Sequence, residues 1–190
     1  SAASDVYKRQ DQYKMLYNRR ELKDVSKMTD KDYTPGGMTA LLDAVGRTIH
    51  KMDMVAGIHR KDKGNKVLFV IITDGEENDS KEYTYADVKK LIKDRQENAG
   101  WEFIFLGANI DAAAAAENLG IDRDRAVKYK NTGSGVRANF KAVAELSDSL
   151  AKSGRVSDRW KETVEKDEDD AADKQLSLIH ISEPTRPERI

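Results

Sequence analysis

Six consecutive apolar residues, Val67-Leu68-Phe69-Val70-Ile71-Ile72, run without a break into Thr73-Asp74-Gly75. A strand with one face in water alternates, because successive side chains point to opposite faces. A continuous run therefore predicts burial on both faces, as in a central strand of a mostly parallel sheet. Such a sheet needs crossover helices, and the neighbouring sequence supplies them. Upstream, Leu41, Leu42, Val45, Ile49, Met52 and Val55 share one helical face. Downstream, Thr84 and Asp87 form a capping-box pattern, with Val88, Leu91 and Ile92 as the buried stripe of the helix it opens. Trp101 to Gly107 reads as the next strand, and Asp111 caps an alanine-rich helix that stops at Gly120. Ala126 to Tyr129 fits a short last strand. Val136, Phe140, Val143 and Leu150 mark a final helix. Asp11 to Asn18 alternates, as a half-buried strand does. The fold class expected is α/β, with helices on both faces of a doubly wound sheet.

Composition narrows the chemistry. The chain contains no cysteine, which excludes disulfides, thiolate metal sites and cysteine catalysis. A net charge of -1 gives no drive toward nucleic acid, and no apolar run approaches the ~20 residues of a membrane span. No signal peptide is recognisable, and a cytoplasmic location is the corresponding expectation. Charged residues make up 35% of the chain against 38% hydrophobic, so part of it is expected to lie outside the core. The run Lys166-Asp167-Glu168-Asp169-Asp170 is the clearest such part, and residues 156–175 are expected to be a solvated, disordered tail.

Ligands of open parallel sheets bind at the carboxyl ends of the strands. Asp74 ends the most apolar strand, and Thr39 opens the first helix directly after Gly36-Gly37. A carboxylate and a hydroxyl on adjoining loops are hard oxygen donors suited to Mg2+ or Mn2+. On spacing alone the pair reads equally as a helix cap and a solvated turn residue. Glu76, Glu77 and Asp79 either shape the rim of such a site or face water. His50 and His59 have no third ligand at metal spacing and read as surface or loop residues. Gly133-Ser134-Gly135 reads as a loop entering a capped helix, or less readily as a phosphate cradle.

Three segments carry a resemblance. They are Pro35-Gly36-Gly37-Met38-Thr39-Ala40-Leu41-Leu42-Asp43-Ala44, then Val70-Ile71-Ile72-Thr73-Asp74-Gly75-Glu76-Glu77-Asn78, then Trp101-Glu102-Phe103-Ile104-Phe105-Leu106-Gly107-Ala108-Asn109. In this order they closely resemble bacterial and phage von Willebrand factor A-like domains, over Asp11 to about Ala151. The resemblance implies a Rossmann-like sheet in the order 3-2-1-4-5-6 and a metal-ion-dependent adhesion site built from three loops. Thr39 matches the second loop and Asp74 the third, with Glu76 and Asn78 as weaker rim candidates. The first loop, Asp-x-Ser-x-Ser, has no counterpart in this chain. The resemblance thus implies a partial domain over residues 11–155, a fragment that lacks its first two strands and so presents Val67–Ile72 as an unpaired apolar edge, an aggregation hazard. It also implies a protein-interaction module whose Mg2+ or Mn2+ accepts a carboxylate from a partner protein, with tight metal binding impaired here. It does not imply an enzyme. The rival reading is a phosphoryl-transfer or hydrolase domain using Asp74, which needs a second catalytic carboxylate or lysine that the chain does not offer.

Both ends match each other as nucleic acid. Asp5-Val6-Tyr7-Lys8-Arg9-Gln10 can be encoded by GAT GTG TAT AAG AGA CAG, whose reverse complement translates as Leu-Ser-Leu-Ile-His-Ile, residues Leu176 to Ile181. Residues 1–10 and 176–190 therefore resemble translated sequencing-library adapter and are set aside from fold reasoning.

Overall fold

The computed structural model describes residues 3–8, 14–21, 24, 39–58, 67–108, 110–157 and 159–165. Their elements run β1 (Ala3–Lys8), β2 (Lys14–Glu21), α1 (Leu41–Ile58), β3 (Leu68–Thr73), α2 (Tyr85–Ala99), β4 (Glu102–Ala108), α3 (Ala112–Leu119), β5 (Ala126–Tyr129) and α4 (Gly133–Ser153). Residues 160–165 are helical as well. β1 and β2 pair with each other, antiparallel, as a separate two-stranded sheet. A strand thus falls on Lys14–Glu21, overlapping the expected Asp11 to Asn18, but it pairs with β1 and not with the parallel sheet. Residues 11–13, Pro35-Gly36-Gly37, His59, Asn109 and residues 166–190 lie outside the described residues.

The three-stranded sheet has the order β3-β4-β5 and is parallel throughout, in register from Leu68↔Glu102 to Thr73↔Gly107 and from Phe105↔Ala126 to Ala108↔Tyr129. The mixed α/β class is as expected. β4 alternates between two cores. Phe103 and Phe105 join Ile71, Ala126 and residues of α1, α2 and α3 on one face, where the Phe69 and Phe103 rings stack 5.2 Å apart. Ile104, Leu106 and Ala108 join Val127, Tyr129, α4 and the helical turn at 160–165 on the other. The caps read from sequence are present: Thr84 and Asp87 close a full capping box, Asp111 accepts from Ala114 N–H, and Gly120 ends α3 at φ 83°.

Three expectations are corrected. The central strand is β4, buried at every position from Phe103 to Ala108, and not Val67–Ile72. Among the described residues β3 pairs only with β4, so it is an edge, and Ile72 is 46% exposed. An apolar run can be buried on both faces only where helices or strands cover both. In α4, Leu150 is buried and Val136 and Val143 pack against the second core as expected, but Phe140 does not. Gly135, Asn139, Ala142, Leu146 and Leu150 face inward while Phe140 is 59% exposed. Small residues bring the helix close: a Cβ at Gly135 would lie 2.1 Å from the Lys130 carbonyl oxygen. Finally, packing continues past residue 155. Val156, Trp160 and Val164 are buried in the second core, and Lys161 Nζ donates to the Arg123 carbonyl at 2.8 Å. Trp160 and Val164 lie one turn apart on one face of the helical residues 160–165, hidden within charged sequence.

Candidate functional site

β3 ends in a turn that fixes its own geometry. The buried Thr73 hydroxyl donates to the Gly75 carbonyl at 2.9 Å and accepts from Gly75 N–H at 3.3 Å. Asp74, between them, is exposed. A Cβ built on Gly75 would lie 3.2 Å from Thr39 Oγ1, so the threonine hydroxyl rests against this turn. Thr39 and the Asp74-Gly75 turn therefore adjoin at the carboxyl end of the sheet.

Backbone bonds hold them there. Thr39 N–H donates to Asn78 Oδ1 at 2.7 Å, and the Thr39 carbonyl accepts from Asn78 and Asp79 N–H at 3.0 and 3.3 Å. The first N–H groups of any helix lack intrahelical partners. Those of α1 find theirs about 35 residues away in sequence. Glu77 Oε2 accepts from Leu42 N–H at 2.9 Å, and Ser80 Oγ accepts from Asp43 N–H at 3.1 Å. Glu77 Oε1 in turn accepts from Asp79 and Ser80 N–H at 3.0 and 2.7 Å. The reverse connection comes from Asp43, a carboxylate only 1% exposed in the apolar face of α1. Its Oδ2 accepts from Lys81 N–H at 3.0 Å, and its Oδ1 from Glu82 and Tyr83 N–H at 2.8 and 3.0 Å. Arg47 adds an ion pair to Glu82, with Nε to Oε2 at 2.7 Å. Tyr83 lies flat on Gly46, where a Cβ would meet the ring at 2.6 Å.

Burial pushes the Glu77 carboxyl up, but the N–H groups of Leu42, Ser80 and Asp79 and the Ser80 hydroxyl outweigh it. They hold Glu77 below the ordinary glutamate range. A carboxylate at a helix N-terminus is further favoured by the helix dipole. The acidic stretch after Asp74 is thus divided in function. Glu77 is consumed by capping α1, Asp79 lies 3.6 Å from Lys81 Nζ, and Asn78 holds the backbone of Thr39. Glu76 stays exposed and lines both cavities at this end of the sheet, of about 240 and 820 Å³, which also share Ile110 and Asp111.

No protein-family model, curated protein or solved structure matches this chain. Thr39 and Asp74 are hard oxygen donors of the kind Mg2+ accepts, and they adjoin. Among the described residues no three His, Cys, Asp or Glu side chains are grouped to hold a metal ion, so any ion held by Thr39 and Asp74 would take most of its ligands from water. His50 is exposed, with its ring 5.9 Å from that of Tyr83. The Gly133-Ser134-Gly135 stretch opens α4 under a Thr132 cap, whose hydroxyl takes the Gly135 N–H at 3.2 Å. Close packing on Lys130 accounts for Gly135. Sequence reasoning missed Asp43. The signal was an acid set inside an apolar helical face, between Leu42 and Val45.

Proposed function

We propose that this chain belongs to a metal-dependent protein-interaction module of the von Willebrand factor A-like kind, with Thr39 and Asp74 as two of its metal ligands. The observation that carries the reading is the seat of the Thr39 hydroxyl against the Asp74-Gly75 turn. Two loops that the resemblance assigns to one metal site adjoin at the end of a parallel sheet, where such folds bind ligands. The bound ion would supply a positive centre with a coordination position open to a partner's carboxylate. Thr39 offers its hydroxyl oxygen directly, and Asp74 its carboxylate directly or through water. Glu76 shapes the rim, and Asn78 fixes Thr39.

The edge position of β3 also supports the idea of a partial domain, since a strand bordering it is where the family's first loop arises. A hard divalent ion takes about six oxygens, and two protein ligands leave most of them to water. The expected affinity for Mn2+ in this chain is therefore weak, on the order of millimolar. Mn2+ titration followed by paramagnetic broadening of amide resonances tests it. Broadening centred on Thr39 and Asp74, abolished by Asp74→Ala, is the expected result. Broadening spread over surface acids, unchanged by that substitution, would sink the proposal. Membrane insertion plays no part in this reading, and no helix among the described residues is long and apolar enough to cross a membrane.

A further inference from the structure

The loop after β3 is fastened to α1 by two carboxylates, each used on both oxygens. Glu77 Oε2 faces Leu42 N–H and the Ser80 hydroxyl while Oε1 faces Asp79 and Ser80 N–H. Asp43 Oδ2 faces Lys81 N–H while Oδ1 faces Glu82 and Tyr83 N–H. All these partners are donors, apart from the dual-natured Ser80 hydroxyl. An ionised carboxylate is acceptor-only and satisfies this arrangement, whereas a side-chain amide must turn an NH2 toward an N–H. Asn78 is the opposite case. Its bond to Thr39 N–H uses the amide oxygen, a role that a carboxylate fills equally well.

We propose that Asp43 and Glu77 are positioning residues that hold Thr39 against the Asp74-Gly75 turn, and that each works only as a carboxylate. The functional weight of this latch rests on the metal-edge reading above, but its mechanics do not. Asp43 ties residues 81–83 to the first turns of α1, and Glu77 ties the start of α1 to residues 79 and 80. Thr39 lies at the head of that helix and Asp74 at the head of that loop, so the two fastenings fix the spacing between them. Neither residue is one of the proposed metal ligands.

The test exploits the asymmetry between acid and amide. Hydrogen exchange read by mass spectrometry on the full chain at micromolar concentration follows the peptides spanning residues 39–43 and 76–84. Glu77→Gln and Asp43→Asn, although equal in size to the native residues, are expected to speed exchange there by about tenfold, the effect of losing a hydrogen bond to a charged group. Asn78→Asp is expected to leave it unchanged, and Asn78→Ala to raise it. Peptides from β4 and α4 serve as the internal reference and should not change in any variant. A packing role alone predicts no difference between acid and amide of equal volume. Unchanged exchange in Glu77→Gln and Asp43→Asn would overturn the proposal, as would equal acceleration in β4 and α4. Mn2+ broadening of Thr39, measured alongside, separates the two ideas. If the latch variants loosen the loop while Mn2+ finds no site even in the native chain, the metal reading falls and the latch stands.

Discussion

Gly46 lies inside α1, where alanine is ordinarily favoured by about 1 kcal/mol. Here the sign is expected to reverse. The base of the Tyr83 ring, Cγ included, occupies the place of the missing Cβ at 2.6 to 2.7 Å, so the whole ring must leave. Displacing it costs about 1–3 kcal/mol, as other overpacked sites do. Gly46→Ala should therefore lower the urea midpoint, and in a Tyr83→Ala background the same substitution should raise it. Such a reversal is the mark of two residues in contact. Glu77 makes a second prediction at this scale. Its folded pKa is depressed, so its contribution to stability is complete above the unfolded glutamate value of about 4.3 and is lost as pH falls through the lower folded value. The amide proton shifts of Leu42, Asp79 and Ser80 should move together in acid, with a midpoint below the ordinary glutamate range. Independent midpoints for the three would argue against a shared carboxylate.

At the scale of elements, the helices were largely legible because their signals are local. Thr84 with Asp87 and Asp111 before the alanine run each specify a helix start within a few residues, whatever the rest of the chain does. Strand environment is not local in this sense. The composition of Val67–Ile72 says how apolar the strand is, but not which elements flank it, and β3 came out as an edge. In α4, Phe140 was misplaced for a related reason. Reading the largest apolar residues as the buried ones fails where close approach to the sheet favours Gly135 and Ala142 over Phe140. The candidate site divides in the same way. Thr39 and Asp74 were legible from motif order, whereas the donors facing Asp43, and the Leu42 N–H facing Glu77, lie 35 to 40 residues distant and leave no periodic trace. The β3 edge carries a prediction of its own. An apolar strand with an open ladder invites pairing between molecules, and natural edges are guarded by lysine. Ile72→Lys should reduce light scattering at a given concentration, at a stability cost of about 1 kcal/mol or less. No change in scattering would show that association does not run through this edge.

For the whole molecule, the three-stranded sheet is narrow and, among the described residues, separates two cores. Phe103 and Phe105 belong to the core under α1 to α3, and Ile104 and Leu106 belong to the core under α4 and residues 160–165. Adjacent residues of one strand thus report on opposite halves of the molecule. The extension of the second core to Trp160 and Val164 means that a chain ending at residue 155 would uncover one side of that wall. Neither half has a private foundation. Uncovering a whole face strips apolar cover from β4 and weakens the footing of the other, so global unfolding of the described α/β body is expected as a single transition, whereas local opening of residues 76–84 leaves β4 covered. In that sense β4 is the beam on which two roofs lean, and its failure admits no partial collapse.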